Sequence, residues 1–262
     1  EQWRAPLTVL ASGAPGAAAR MVGAERNRDE PYGIAIRTYA ESPRHADDML
    51  EACLTLTDDE GTPVPGYGWM FPAGDGTVNI GVGALSTMKG FKKLNLNKLL
   101  KSYRGLVQEP WTLGPDLERP RAWRLPMSAQ ARHGVGWVAI GDAAGLVNPM
   151  NGEGIDYAYE TAHMAADVIH DALTSGDAMA LKRYEQLVED EYGQYFKVAR
   201  LFARIIGRPA LMRELSRVGI HSRTLMEWVL RIMANLLRPD EVGPAEAAYK
   251  AAAAIVRLYP NA

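Results

Sequence analysis

The sequence predicts an α+β protein in which an antiparallel sheet and a buried strand of the parallel type precede a helical C-terminal region. Three features support this prediction. Residues 31–84 hold four segments in which apolar and polar residues alternate, as in half-buried antiparallel strands. Residues 137–140 form a short apolar run, typical of a strand buried on both faces. From residue 152 onwards, apolar residues recur at helical spacing.

The N-terminal half is predicted to hold strands and few helices. Pro6–Ala11 is a short apolar strand, and Ala17–Val22 has the small residues of one or two helical turns. Residues 118–128 are interrupted by prolines and are predicted to be a connection. The remaining predictions are strands at 31–42, 49–58, 65–72 and 77–84, of which the last two form a hairpin, and a helix at 94–107.

The C-terminal half is predicted to be helical after residue 152. Gly176 supplies a stop signal, Asp177 is a candidate N-cap, and Gly193 is a candidate kink. The predicted helices cover residues 152–174, 177–206, a short segment from Pro209 to Gly219, residues 221–237 and residues 244–258.

Composition restricts the classes of function. The 262 residues suffice for one large domain or two small ones, and 47% hydrophobic with 23% charged residues is ordinary for a globular protein. A net charge of −2 gives no sign of nucleic-acid binding. Cys53 is the only cysteine, which excludes an intramolecular disulfide and a metal site built from cysteines. No apolar run approaches the roughly 18 residues of a membrane span, so the default expectation is a cytoplasmic protein.

The connection between the strand at 137–140 and the following helix has the features of a nucleotide or flavin site. Ligands of open α/β sheets bind beyond the carboxyl ends of strands, where Asp142 lies. The helix N-terminus offers unpaired N–H groups, and Gly152 and Gly154 permit close approach of a ligand. An ordinary connection in which Asp142 caps a turn has the same spacing, so spacing alone leaves both interpretations open.

The longer motif resembles that of a known family. Gly141-Asp142-Ala143-Ala144-Gly145, with Asn148-Pro149 and Gly152–Ile155, resembles the second FAD-contacting motif of the flavoprotein hydroxylase superfamily, and most closely that of the geranylgeranyl reductase family. The resemblance implies a PHBH-like FAD/NAD(P)-binding fold with FAD as cofactor. In the family the Asp contacts the ribityl and pyrophosphate region, and the glycines contact the flavin ring. The cofactor-binding residues implied are Gly141, Asp142, Ala143, Pro149, Gly152, Glu153, Gly154 and Ile155.

The strand at 65–72 carries a second motif. Tyr67, Trp69 and Phe71 alternate along it and therefore share one face, as either a sheet core or the wall of an apolar pocket. The pattern Tyr-x-Trp-x-Phe-Pro resembles the substrate-cavity motif of geranylgeranyl reductases, although Val64 stands where the family often has Pro. The resemblance implies that Tyr67, Trp69, Phe71 and Pro72 line a tunnel for an isoprenoid near the flavin.

The family also has a feature that this sequence lacks. Its members open with a βαβ unit bearing G-x-G-x-x-G, and no such motif occurs here. We therefore expect the C-terminal part of a longer flavoprotein, in which the strands at 6–11 and 137–140 take neighbours from the absent unit. The expected divisions are the tail of the FAD-binding domain at 1–24, a substrate-binding sheet at 25–124, the return of the FAD-binding domain at 125–174 and a helical region at 175–262.

The resemblance implies a FAD-dependent oxidoreductase that reduces a C=C bond of an isoprenoid chain, either a menaquinone side chain or a geranylgeranyl lipid. NAD(P)H or a redox protein would supply the electrons. No His, Asp or Glu stands out as a proton donor, and Tyr67 is a candidate on geometry only, so the catalytic residues are unassigned. Two alternatives remain: an aromatic hydroxylase of the same superfamily, which would share the Asp142 motif, and a non-catalytic lipid-binding fragment.

The charge is distributed unevenly along the chain. Residues 194–262 contain 11 Lys+Arg and 5 Asp+Glu, a net charge of +6. Basic amphipathic helices can lie on anionic membrane surfaces, and they also occur as the solvated faces of helical domains. A lipid substrate would favour peripheral contact with the inner face of a membrane.

Overall fold

The computed structural model describes residues 4–14, 17–24, 27–58, 60–129, 131–208, 210, 214, 217, 219, 221–237 and 242–258. The chain divides into two compact units. One, called here the sheet unit, comprises Gly33–Arg124 and Arg204–Met226. The other, called the helical unit, comprises Glu1–Tyr32, Leu125–Ala203 and Glu227–Ala262.

The described residues contain eight strands in two sheets. A five-stranded sheet has the order β3-β4-β5-β2-β6, and a three-stranded sheet has the order β1-β8-β7. The strands are β1 (Thr8–Leu10), β2 (Tyr32–Glu41), β3 (Glu51–Cys53), β4 (Gly66–Pro72), β5 (Thr77–Leu85), β6 (Arg121–Pro126), β7 (His133–Gly134) and β8 (Trp137–Ala139).

Seven α-helices are described. Short 3₁₀ turns at Phe91–Lys93, Gly141–Ala144 and Ala178–Leu181 accompany them. The helices are α1 (Ala17–Met21), α2 (Leu96–Val107), α3 (Ile155–Ser175), α4 (Lys182–Val188), α5 (Gln194–Ile206), α6 (Arg223–Met233) and α7 (Pro244–Leu258). None of these helices is both long and apolar enough to cross a membrane.

The five-stranded sheet buries one face against α2. Met70, Ile80 and Val82 on that face are fully buried, together with Leu99 and Tyr103 of the helix. The period-2 pattern that predicted these strands therefore reflects a sheet with one packed face, as expected for an antiparallel sheet. The other face carries the aromatic motif.

Two predictions for this sheet were wrong in detail. The strand predicted at 49–58 ends at Cys53, and beyond it only an isolated bridge joins Thr57 to Pro63. Pro63 has no N–H to continue a ladder, which limits pairing there. The predicted connection at 118–128 instead contains β6, at the edge of the sheet, where prolines are tolerated.

The three-stranded sheet corrects a further expectation. β8 pairs in parallel with β1, with Val9 opposite Val138, and in antiparallel fashion with β7. Both edges of β8 are thus paired within this chain, whereas β1 is paired on one edge only among the described residues. Leu10, Val138 and Ala139 join the buried core that α3, α4 and α5 form around them.

The helical predictions were mostly confirmed. Gly176 ends α3 with a positive φ of 70°, and the Asp177 side chain accepts a hydrogen bond of 2.8 Å from the Met179 N–H. The single helix predicted from 177 is divided into a 3₁₀ turn, α4, a π-helical segment and α5. The π-helical segment, Glu189–Gly193, coincides with the kink expected at Gly193. The helix predicted from Pro209 to Gly219 lies largely outside the described residues.

Candidate functional site

The loop that leaves β8 turns sharply against α3. Gly141 has a φ of +54°, and a Cβ at this position would lie 2.8 Å from the Cβ of Ala158. The Gly141 N–H also donates to the Thr161 hydroxyl at 3.2 Å. A glycine is therefore required here so that the end of the strand can pack directly on the helix. Gly141 is buried, and its structural role is packing against α3.

Asp142 lies beside the N-terminus of α3. Its Oδ1 is close to Gly154, the residue that caps this helix, because a Cβ there would lie only 2.8 Å from that oxygen. Burial raises the pKa of the Asp142 carboxyl above its ordinary value. Among the residues that the structure describes, no group hydrogen-bonds to this carboxylate. A half-buried acceptor without a protein partner, next to a helix N-terminus, suits a ligand that brings hydroxyl donors.

The loop from Asn148 to Glu153 is closed by its own backbone. The Asn148 N–H donates to the Glu153 carbonyl at 2.7 Å, and the Gly152 N–H donates to the Asn148 carbonyl at 2.9 Å. Gly152 has a φ of +79°, a conformation that favours glycine. The loop therefore holds the backbone of residues 152–154 in a fixed position at the start of α3.

The Asn148 side chain anchors this loop to the surrounding helices. It is fully buried, and its Nδ2 donates to the Tyr195 hydroxyl at 3.0 Å and to the Met233 carbonyl at 2.9 Å. The Tyr157 hydroxyl lies 3.2 Å from the same nitrogen, and Oδ1 accepts from the Met150 N–H at 2.9 Å. Sequence reasoning did not identify Asn148 as a site residue. The available signal was a polar side chain inside the apolar run from Leu146 to Met150.

A second carboxyl group lies at the start of α3. Burial and a hydrogen bond with Asp156 raise the pKa of the Glu153 carboxyl, while a hydrogen bond from Asn151 acts in the opposite direction. The Asn151 amide nitrogen lies 3.2 Å from Glu153 Oε2. The carboxyl groups of Glu153 and Asp156 thus lie within hydrogen-bonding distance of each other at the start of α3.

The predicted cofactor residues differ in accessibility. The structure buries Ala143 and Pro149, so their side chains face the interior. Ile155 is 73% exposed, which leaves the first turn of α3 open. The accessible members of the predicted set are Asp142, Gly152, Glu153, Gly154 and Ile155. The structure brings these five together around one helix N-terminus.

The aromatic motif lies on the face of the five-stranded sheet that is opposite the core. Tyr67, Trp69 and Phe71 are half-buried and alternate with the buried Gly68 and Met70. Their rings form a continuous row, with centroids 5.7 Å apart between Tyr67 and Trp69 and 5.9 Å apart between Trp69 and Phe71. The structure therefore places these rings on an accessible surface and outside the buried core.

Two glycines of β5 lie beside this aromatic row. Gly81 is paired with Trp69, and a Cβ there would lie 2.1 Å from the indole, which covers that position. Gly83 is paired with Tyr67, and a Cβ there would have its nearest neighbour at 3.6 Å. The Trp69 indole N–H donates to Asn79 Oδ1 at 2.8 Å, which fixes the ring over the glycines. The three rings and the half-buried Pro72 at the end of β4 form an apolar surface, called here the aromatic trough.

Comparison with known proteins shows the family of the chain. No family model matches the chain. The menaquinone reductase of Mycolicibacterium smegmatis is 38% identical over 236 residues, which cover 89% of this chain and 57% of that protein. The geranylgeranyl diphosphate reductase of Synechocystis is 29% identical over 212 residues, covering 77% of this chain and 49% of that protein. The chain belongs to the geranylgeranyl reductase family. It spans about half the length of these two family members.

Solved structures show which fold this family member has. A geranylgeranyl bacteriochlorophyll reductase-like protein from Thermoplasma acidophilum matches 98% of this chain and 60% of its own chain, with a TM-score of 0.63 and 21% identity. A flavin-dependent brominase matches 99% of this chain and 64% of its own, with a TM-score of 0.66 and 16% identity. At these identities the likeness shows the fold alone, which is shared by flavin-dependent hydroxylase-like and halogenase-like proteins.

The described residues do not include a candidate metal site. Within the described ranges, no group of three or more His, Cys, Asp or Glu side chains is arranged to hold a metal ion. Cys53, which is half-buried, is not paired with another cysteine.

Proposed function

We propose that this chain is the part of a FAD-dependent reductase that binds the flavin side of the cofactor and the isoprenoid substrate. The observation that carries the proposal is the half-buried Asp142 carboxylate, which has no partner among the described residues and lies at the N-terminus of α3. The relatives are named for reductions of menaquinone and of geranylgeranyl diphosphate, which supports an isoprenoid C=C bond as the target.

FAD fits the residues present. The Asp142 carboxylate can accept hydrogen bonds from ribityl hydroxyls, and the absence of side chains at Gly152 and Gly154 leaves room for a flat ring near the backbone. The open first turn of α3 directs unpaired N–H groups toward an electron-rich ligand atom. When bound, reduced flavin supplies a hydride for the alkene, and the protein supplies orientation and exclusion of water.

The aromatic trough would hold the isoprenoid chain. Tyr67, Trp69 and Phe71 present apolar ring faces, and Gly83 has no side chain to fill the space beside them. An unsaturated hydrocarbon gains stabilisation by burying its surface against such a wall. Electrons would come from NAD(P)H or a redox protein, and the basic C-terminal region would favour peripheral contact with a membrane that contains the lipid.

The cofactor assignment is tested by Asp142→Ala. Loss of hydrogen bonds to a charged group should weaken FAD binding by about 1.5–3 kcal/mol, which corresponds to roughly a tenfold to hundredfold rise in Kd. Titration of the purified protein with FAD, followed by flavin fluorescence, measures the change. Asp167→Ala removes an exposed aspartate from the same helix and should leave the Kd unaltered. Equal affinities for the Asp142 variant and the unaltered protein would refute the assignment.

The substrate assignment is tested by Trp69→Ala. Because Trp69 lies outside the buried core, its loss should cost less than the roughly 3–5 kcal/mol typical of a core tryptophan, while the KM for a long prenyl substrate should rise several-fold. Steady-state kinetics and thermal melting together separate these effects. A large fall in Tm with an unaltered KM would contradict the trough. Oxygen uptake with a phenolic product would contradict the reductase itself.

A further inference from the structure

The aromatic trough continues across the sheet to a charged site on β2. In the antiparallel register, Trp69 is paired with Gly81, and Gly81 is paired with Arg37. Residues paired in this way project from the same face of a sheet. Arg37 therefore lies on the face of the aromatic row, two strands away, at about 10 Å by the usual spacing of strands. Gly81 lies between them without a side chain, and the Trp69 indole covers it.

Arg37 is held rigidly from three sides. Its Nη1 forms an ion pair with Glu118, and its guanidinium lies 4.7 Å from the ring centre of Tyr39 and 5.5 Å from that of Trp123. Glu118 is fixed in turn, because its carbonyl accepts a hydrogen bond of 2.8 Å from the Thr38 hydroxyl. Of the Arg37 nitrogens, only Nη1 makes a hydrogen bond within the described residues. The Nε and Nη2 donors are thus available to a ligand on this face.

The site offers donors and a flat ring, but few uncompensated positive charges. The Glu118 carboxylate forms an ion pair with Arg37 and lies 3.9 Å from Arg121. The two arginines therefore share one carboxylate. A diphosphate requires several uncompensated cations, whereas a carbonyl oxygen requires only a well-placed donor. Trp123 is 38% exposed and can stack on a planar ring.

The geometry points to Arg37 and Trp123 as the headgroup site for an uncharged quinone ring whose isoprenoid tail lies along the aromatic row. This inference rests on the proposed function and assigns the other end of the same substrate. The guanidinium donates to a ring carbonyl, the indole stacks on the ring, and the Glu118 charge disfavours a prenyl diphosphate.

Binding of three probes to the purified protein tests the assignment. The probes are a menaquinone with a short side chain, geranylgeranyl diphosphate and squalene, which is an isoprenoid without a headgroup. Quenching of tryptophan fluorescence gives each Kd, and Trp123→Phe should remove part of the quenching by menaquinone. Arg37→Met should weaken menaquinone binding about tenfold or more, and Arg37→Lys should restore part of it. Arg183→Met removes an exposed, ion-paired arginine of α4 and should change nothing.

A second variant keeps the test independent of the stability of the Arg37 variants. Glu118→Gln leaves Arg37 uncompensated and should raise the affinity for geranylgeranyl diphosphate several-fold. The inference is overturned if Arg37→Met leaves menaquinone binding intact, or if the diphosphate binds more tightly than menaquinone to the unaltered protein. Squalene binding that depends on Trp69, with menaquinone insensitive to Arg37, would reject the headgroup site alone. Failure of every isoprenoid to bind would reject the proposed function as well.

Discussion

At the scale of single residues, Asp142 shows a conflict between stability and ligand binding. Burial raises the pKa of its carboxyl, so the folded protein holds the ionised form at a cost at neutral pH. The cost is absent at a pH below the unfolded value of the group, where both states are protonated, and it is complete above the raised pKa of the folded state. A side chain kept under such conditions is typical of a functional site.

This conflict predicts a variant that is more stable but binds flavin less well. Asp142→Asn removes the ionisable group, so the ligand-free protein should have a higher Tm at pH 7 than the unaltered protein. The gain should shrink as the pH falls towards the ordinary range of aspartate, about 3.9. Thermal melts at a series of pH values measure this. A lower Tm for the variant at pH 7 would show that the carboxylate stabilises the loop instead.

Asn148 is the opposite case, a polar side chain whose contacts are all satisfied. Asn148→Ala would leave the Met150 N–H and the Tyr195 hydroxyl without this partner in a buried position. We expect a loss of about 2–4 kcal/mol in the free energy of unfolding, since several buried groups lose a partner. Chemical denaturation measures the loss. Asn97→Ala, at an exposed position of α2, should change stability by less than about 0.5 kcal/mol. Similar values for both variants would contradict an anchoring role.

At the scale of elements, the two glycines of β5 should respond differently to the same substitution. In Gly81→Ala the new methyl group would lie 2.1 Å from the Trp69 indole, so the ring must move and lose its hydrogen bond to Asn79. We expect a loss of roughly 1–3 kcal/mol. In Gly83→Ala the nearest neighbour would lie at 3.6 Å, and stability should hold or rise by about 0.5 kcal/mol. Denaturant titration of the two variants compares them directly, and a reversed order would show that the indole does not lie over Gly81.

Elements were predictable where their pattern was local. The strand-loop-helix around Asp142 and the hairpin of β4 and β5 follow from the period of apolar residues and from glycines at the turns. β6 was missed because Pro120 and three arginines in residues 119–124 obscured its alternation. The π-helical segment at 189–193 was predicted only as a kink, because one extra residue per turn barely alters a helical apolar stripe.

At the scale of the whole molecule, long-range contacts set the limit of sequence reasoning. The Asn148 anchor joins residues that are 47 and 85 positions apart, and the pairing of Arg37 with Glu118 spans 81 positions. Such contacts leave no periodic pattern in the sequence. The pairing of β8 on both edges was likewise not expected, because β1 is far from β8 along the chain and the two-residue strand β7 was not predicted. The sequence motifs identified the segments that hold candidate site residues. The fold then showed which of their side chains are accessible.

The distribution of surface groups leads to a last prediction, concerning membranes. α6 has no buried residue, and it combines apolar side chains such as Trp228 and Leu230, the latter 54% exposed, with Arg223 at its start and with Arg231, which forms an ion pair with Glu246. An amphipathic helix of this kind can insert its apolar side chains among lipids while its arginines attract anionic headgroups. Such a location would give the proposed lipid substrate a direct route to the protein.

Cosedimentation with vesicles should therefore detect binding to anionic vesicles and much less to neutral ones, with binding reduced by salt. Leu230→Glu should lower the fraction bound several-fold, because it places a charge in the apolar face. Leu106→Glu introduces the same change at a leucine of α2 that is 66% exposed, and it should have little effect. If both variants bind as well as the unaltered protein, then α6 does not contact the membrane. Equal binding to neutral and anionic vesicles would show instead that the arginines contribute nothing.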